Sequence, residues 1–180
     1  EARFQRRSLK EQFISQTIYG SRTQEDADAL EECGRRLGLE QKFVRAPILF
    51  CFPDASDSAE KILQCFRDYH FISRQDVIGI TRNNGILLLR HFEEAPPELI
   101  RDYKSLIKEN IGQLLWYLNN HTSVYRLYVG SCQRRFSDYH TGYLHCKWLS
   151  DNFGKEQGGI CFFYDYVGKY FRSLIPASDL

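Results

Sequence analysis

The chain has 180 residues, with 24 Lys and Arg against 23 Asp and Glu, for a formal net charge of +1. That balance excludes a whole-chain field drawing in nucleic acid or an anionic membrane. Thirteen Phe and eleven Tyr indicate a bulky core rather than disorder, and no apolar run approaches the roughly 20 residues that span a bilayer.

Ala2–Tyr19 is predicted as a helix with Leu9, Phe13, Ile14 and Ile18 on one side, stopping at Gly20. Arg3, Arg6, Arg7 and Lys10 crowd its first half, where positive charge opposes the macrodipole. A helix entering from a preceding domain would remove that conflict; a fraying chain end is the alternative. Thr23 is the expected cap of a second helix, with Ala27, Leu30, Cys33, Gly34 and Leu37 as its stripe and Gly38 as its end. Such a helical hairpin must bury its stripes against the sheet domain or a second copy of the chain. In the second case Leu9, Phe13, Ile14 and Ile18 form a homodimer interface. The expected division is therefore a helical linker over residues 1–40 and an α+β domain over 43–180.

Ala46–Phe52 reads as an apolar strand ended by Pro53-Asp54. Asp57 is the predicted cap of the next helix, with Glu60 as capping-box partner and Ala59, Ile62, Leu63, Phe66 and His70 on one face. Gln75–Phe92, QDVIGITRNNGILLLRHF, organises the chain: strands over Asp76–Thr81 and Ile86–Phe92 fold back across Arg82-Asn83-Asn84-Gly85. Asn and Gly tolerate the positive φ that tight hairpins demand. The unbroken run Ile86-Leu87-Leu88-Leu89 marks a strand covered on both faces. After Pro96-Pro97, positions Leu99, Tyr103, Leu106, Ile107, Ile111, Leu114, Leu115 and Leu118 predict one long helix to about Asn119. Val124–Val129 is a strand, and Phe136 to about Ser150 a helix with Phe136, Tyr139, Tyr143, Leu144, Lys147 and Trp148 as its stripe. Ile160–Tyr164 is the last strand, followed by a short helix over Tyr170–Ile175.

The order α-α, then β-α-β-β-α-β-α-β, gives an α+β class. Its expected centre is a ferredoxin-like βαββαβ core, helices on one sheet face, with a C-terminal α-β addition and the N-terminal helical hairpin. Cys33, Cys51, Cys65, Cys132, Cys146 and Cys161 form no C-x-x-C pair, which indicates neither a zinc knuckle nor a redox motif and suits a reduced, cytoplasmic protein. The chain opens at Glu1 without any Met and reads as a piece of a larger protein.

A ferredoxin-like core with this hairpin resembles the nucleotide-cyclase palm, including the GGDEF diguanylate cyclases. In those enzymes glycines at the hairpin tip admit the nucleotide and an acidic residue there holds a divalent metal. Here the tip, Arg82-Asn83-Asn84-Gly85-Ile86, has one glycine and no carboxylate; Asp54 and Asp57 follow the first strand without an adjacent Lys. Metal-assisted phosphoryl transfer needs ligands at both places, so no catalytic, metal or cofactor residues are assigned.

The chain is more similar to the degenerate GGDEF-like middle domain of bacterial sugar-diacid-utilisation and purine-catabolism regulators. The likeness runs through LGLE (Leu37–Glu40), RAPILFCF, DVIGITRNNGILLL and Tyr128-Val129-Gly130-Ser131. It continues through Phe136, Tyr139, Gly142-Tyr143 and KWL to Phe162-Phe163-Tyr164-Asp165-Tyr166 before LIP. The resemblance implies a non-catalytic, dimerising segment of a transcription regulator. A ligand sensor would lie upstream and a DNA-binding helix-turn-helix downstream, with the effector bound elsewhere in the parent protein and no membrane involved.

Four residues form a candidate ligand site. Arg134 and Arg135 precede a helix whose first turns carry Tyr139 and His140, an arrangement suited to a carboxylate or phosphate. The competing reading is a solvated basic turn backed by core aromatics. His140 and His145, five apart, point different ways and argue against zinc; Cys146 is expected to be structural rather than nucleophilic. Phe136, Tyr143 and Trp148 suit an interface or a core. Asp165-Tyr166 reads either as part of a diacid site or as a turn.

Overall fold

The computed structural model describes all residues except 54–57, 94–101, 123, 154–158 and 180. Helices α1 (Ala2–Tyr19) and α2 (Gln24–Leu37) precede β1 (Val44–Cys51), α3 (Ala59–Asp68), β2 (Val77–Ile80) and β3 (Ile86–Phe92). Then come α4 (Tyr103–Asn110), α5 (Gly112–His121), β4 (Arg126–Val129), α6 (Tyr139–Phe153), β5 (Ile160–Phe162) and α7 (Val167–Ser173). Short 3-10 turns cover Phe136–Asp138, Phe163–Asp165 and Ala177–Asp179.

The strands form one mixed α+β sheet in the order β2-β3-β1-β4-β5. Every neighbouring pair is antiparallel except β4 and β5, which run parallel. β1 lies at the centre, with Ile48 opposite Leu88 on one side and Val129 on the other.

Alternation along a strand sends successive side chains to opposite faces, and both faces are covered. Ile86 and Leu88 join Ile48, Phe50 and Val129 beneath α3, α4 and α5, meeting Ile62, Phe66, Ile107 and Leu114. Leu87 and Leu89 join Val77 on the other face, against Phe13 and Ile14 of α1 and Leu30 and Leu37 of α2. All four residues Ile86–Leu89 are wholly buried, as the unbroken run predicts. Each contributes roughly 1.5–3 kcal/mol by leaving water. The expectation of helices on one face is corrected, because the N-terminal pair and α6 close the second.

The N-terminal helices follow the predicted bounds. Thr23 Oγ1 accepts from the Asp26 amide while Asp26 accepts from the Thr23 amide, a reciprocal cap, and Gly38 closes α2 in the left-handed conformation. The basic first half of α1 also has a use: Arg6 Nη1 donates to the Leu37 carbonyl at the C-terminal end of α2, where positive charge is favoured.

Several boundaries differ from the sequence expectation. The first strand starts earlier, because Arg45 exchanges both backbone hydrogen bonds with Gln133. The expected long helix breaks at Ile111, which leaves helical geometry (φ −98°, ψ 14°) just before Gly112, a poor helix former. Its hydrophobic spacing continues across the break, so periodicity alone conceals it; its start at Pro96-Pro97 and Leu99 lies outside the described residues. Asp57 also lies outside them, and Ser58 occupies the cap position of α3 without a side-chain cap bond. The Ala59 amide donates instead to Asn84 Oδ1 at the hairpin tip. His70 is no part of that helix face; it follows α3 with φ 56°.

The helix predicted from Phe136 begins as a 3-10 turn, and α6 proper buries Tyr139, Gly142, His145, Cys146 and Leu149. Leu144 and Lys147 are exposed, so the stripe is rotated from the aromatic one expected. Close approach sets the rotation. A Cβ on Gly142 would lie 2.8 Å from Pro47 Cγ, and one on Gly130 would lie 2.2 Å from the Gly142 carbonyl oxygen. The helix is thus pressed onto β1 and the end of β4 where it has no side chain.

Candidate functional site

The hairpin tip is held to its neighbours by its own side chains. Thr81 N donates to the Gly85 carbonyl and Gly85 N to Thr81 Oγ1. Asn84, rather than Gly85, takes the positive φ, at 55°, a conformation Asn tolerates better than most residues. In that pose Asn84 Oδ1 caps α3. On the other side of the tip, the Arg82 guanidinium lies 4.9 Å from the centre of the Tyr19 ring at the end of α1. The hairpin tip therefore serves as a joint between two helices.

Beside this joint lies a cleft of about 540 Å³. It is lined by Leu49 of β1 and by Phe52 just beyond that strand. Its walls are Tyr19 of α1, Arg82 and Asn83 of the hairpin, Arg126 of β4, and Tyr143, Lys147 and Asp151 of α6. No predicted motif names this cleft, because its lining comes from five separated stretches.

The four predicted site residues do not converge. Arg134 and Arg135 are exposed, whereas Tyr139 is fully buried and packs edge-on against Phe13 and tilted against Phe136. Its hydroxyl accepts from Arg45 Nη1 at 3.0 Å. Burial raises the Tyr139 phenol, with Arg45 opposing the rise. His140 Nδ1 donates to the Thr17 carbonyl at 2.9 Å and so ties α6 to α1. Two of the four thus hold α1 in place, leaving only the solvated basic turn.

The proposed dimer stripe is likewise corrected. Phe13 and Ile14 are buried in the chain's own core, and Leu9 and Ile18 pack at its margin, so this face is closed to a second copy. Phe136 is buried too, and half-buried Trp148 packs edge-on to Phe163 and Tyr170. Asp165 pairs with Lys104 at 2.7 Å.

Sequence reasoning missed a buried Ser–His contact. Ser131 Oγ lies 2.7 Å from His145 Nδ1, and Gln133 Nε2 donates to the same hydroxyl. Gln133 thus orients the hydroxyl that shares a hydrogen bond with Nδ1. The His145 ring stacks on Phe163 at 3.8 Å, nearly parallel, and burial pulls its pKa down to about 4. Only a neutral base with an orienting partner and substrate access activates a serine; this ring is sandwiched between aromatics instead. Cys146 is fully buried, its Sγ donates to the Pro47 carbonyl, and burial pushes the thiol up. Reactive cysteines have the opposite shift.

Among the described residues no group of three His, Cys, Asp or Glu side chains is arranged to hold a metal ion. Asp54 and Asp57 lie outside those residues. None of the described helices is long and apolar enough to cross a membrane. No protein-family model matches the chain, and no curated protein matches it.

Proposed function

We propose that this chain is a non-catalytic GGDEF-like regulatory domain with a ferredoxin-like core. Its parent would be a cytoplasmic sugar-diacid-type transcription regulator, in which the domain links an upstream ligand sensor to a downstream helix-turn-helix. The strand order β2-β3-β1-β4, antiparallel throughout, with α3 crossing from β1 to β2, supports the core assignment. One observation carries the functional reading: the hairpin tip grips the end of α1 through Arg82 and the start of α3 through Asn84. A tip built as a joint relays the position of α1 to the sheet; a catalytic tip would present carboxylates to a metal.

The rival is a nucleotide-binding or cyclising enzyme, for which the cleft beside the hairpin speaks. Incubation with Mg²⁺ or Mn²⁺ and GTP or ATP separates the two, because the regulatory reading expects no turnover and measurable cyclisation or hydrolysis would refute it. Homodimerisation belongs to the proposal, through a surface other than the α1 stripe. Light scattering on the same sample reads the mass, and a monomer at tens of micromolar would remove that part.

A further inference from the structure

We propose that the cleft between the hairpin tip, β4 and α6 binds a small organic phosphate monoester, a dianionic phosphoryl group on a flat apolar body. This goes beyond the regulatory reading and does not depend on it. The volume of about 540 Å³ falls within the range of small-molecule sites. Among the described residues, three cations, Arg82, Arg126 and Lys147, line it against one carboxylate, Asp151.

The cations come from three different elements, and none forms an ion pair among the described residues. Like charges gathered in a concave site raise the local potential for an anion. The Nε of Arg126 is shut off from solvent and has no acceptor among the described residues. Such an unmet donor is costly, and an anion beside the guanidinium would compensate it electrostatically. Near neutral pH a phosphate monoester carries about −1.5 to −2 charges, a closer match to three cations and one carboxylate than a single carboxylate group.

The remainder of the lining fixes the rest of the ligand. Leu49, Phe52 and Tyr143 are among the residues that line the cleft and supply apolar surface. Arg82 is already held over the Tyr19 ring, so less side-chain freedom is lost when it meets a phosphoryl oxygen.

Isothermal titration at low ionic strength with phenyl phosphate as the probe tests the site. The expected result is saturable binding at one site, weaker binding of inorganic phosphate, and none of phenol. Lys147→Glu, on the exposed side of α6, is expected to weaken binding about tenfold or more, as loss of a charge-assisted contact implies. Lys169→Glu, whose ammonium lies over Phe153 and Tyr166 outside the cleft, should leave it unchanged. Arg82→Gln provides a second cleft variant, and circular dichroism checks that each variant is folded. The assignment is overturned by absence of saturable binding at millimolar probe. It is equally overturned by inorganic phosphate binding as tightly as phenyl phosphate, or by Lys169→Glu weakening the probe as much as Lys147→Glu. Turnover of a nucleotide would strike the regulatory reading and leave this binding result intact.

Discussion

Asp76 ties together three parts of the chain with one carboxylate. Its Oδ1 accepts from the His91 amide and from His91 Nδ1, and its Oδ2 from the Ser73 amide and from Arg90 Nη1. Arg90 continues the network to the Phe71 carbonyl and to Asn110 at the end of α4. Burial alone would raise the Asp76 carboxyl, but the His91 hydrogen bond, the Arg90 charge and the backbone amides bring it below its ordinary value. Asp76→Asn is expected to cost about 3 kcal/mol, because it leaves the Arg90 guanidinium largely buried without its counter-charge; urea unfolding reads the loss. Arg45 makes the opposite choice. It is completely buried, yet its partners are neutral: the carbonyls of Glu40 and Gln75, the Gln75 side chain and the Tyr139 hydroxyl. A guanidinium has five donors and cannot shed its charge, so the four hydrogen bonds to neutral dipoles are what make that burial tolerable.

At the scale of elements, the seating of α6 depends on two missing side chains. With the Gly142 carbonyl oxygen against Gly130 and Pro47 within 2.8 Å of an added Cβ, Gly142→Val must push the helix off the sheet. The expected loss is roughly 2–3 kcal/mol, of the size overpacking costs, seen as a lower urea midpoint with unchanged slope. This contact also shows what the sequence could reveal. Helix ends at Thr23 and Gly38, the hairpin, and the two-sided burial of Ile86–Leu89 follow from rules that act within a few residues, and all are legible. The rotation of α6 follows from which backbone lies beneath it, a long-range fact. Aromatic residues therefore drew the predicted stripe toward Tyr143 and Trp148, while the helix settled on Gly142 and Cys146. Arg45 was illegible for a related reason: a charged residue reads as surface until its neutral acceptors, 5 to 94 positions away, are known. The candidate site suffered most. Its predicted members were neighbours in sequence, whereas the cleft gathers Tyr19, Arg82, Arg126 and Lys147 from four elements or connections.

For the molecule as a whole, acid sensitivity follows from two buried groups acting in successive windows. His145 is pulled down to about 4 by burial, against about 6.5 in an unfolded chain. Between those values the unfolded state binds more protons, so stability is fully present above about pH 6.5 and falls as pH drops toward 4. The loss is on the order of 2 kcal/mol. Asp76, depressed below its ordinary value, adds a second loss that begins only below about pH 4. Urea midpoints from pH 7.5 to 4.5 should therefore decline in the native chain and flatten in His145→Gln. An undiminished slope in that variant would place the titrating group elsewhere.

The cover that α1 and α2 provide has a consequence for synthesis. The helices leave the ribosome before the sheet does, and the leucines they shield, Leu87 and Leu89, lie about fifty residues beyond the end of α2. At 5–20 residues per second the nascent helical pair waits roughly 3–10 s for its partner. During that interval Phe13, Ile14 and Leu30 have no strand to close over them, so the growing chain passes through a sticky stage that the finished molecule no longer shows.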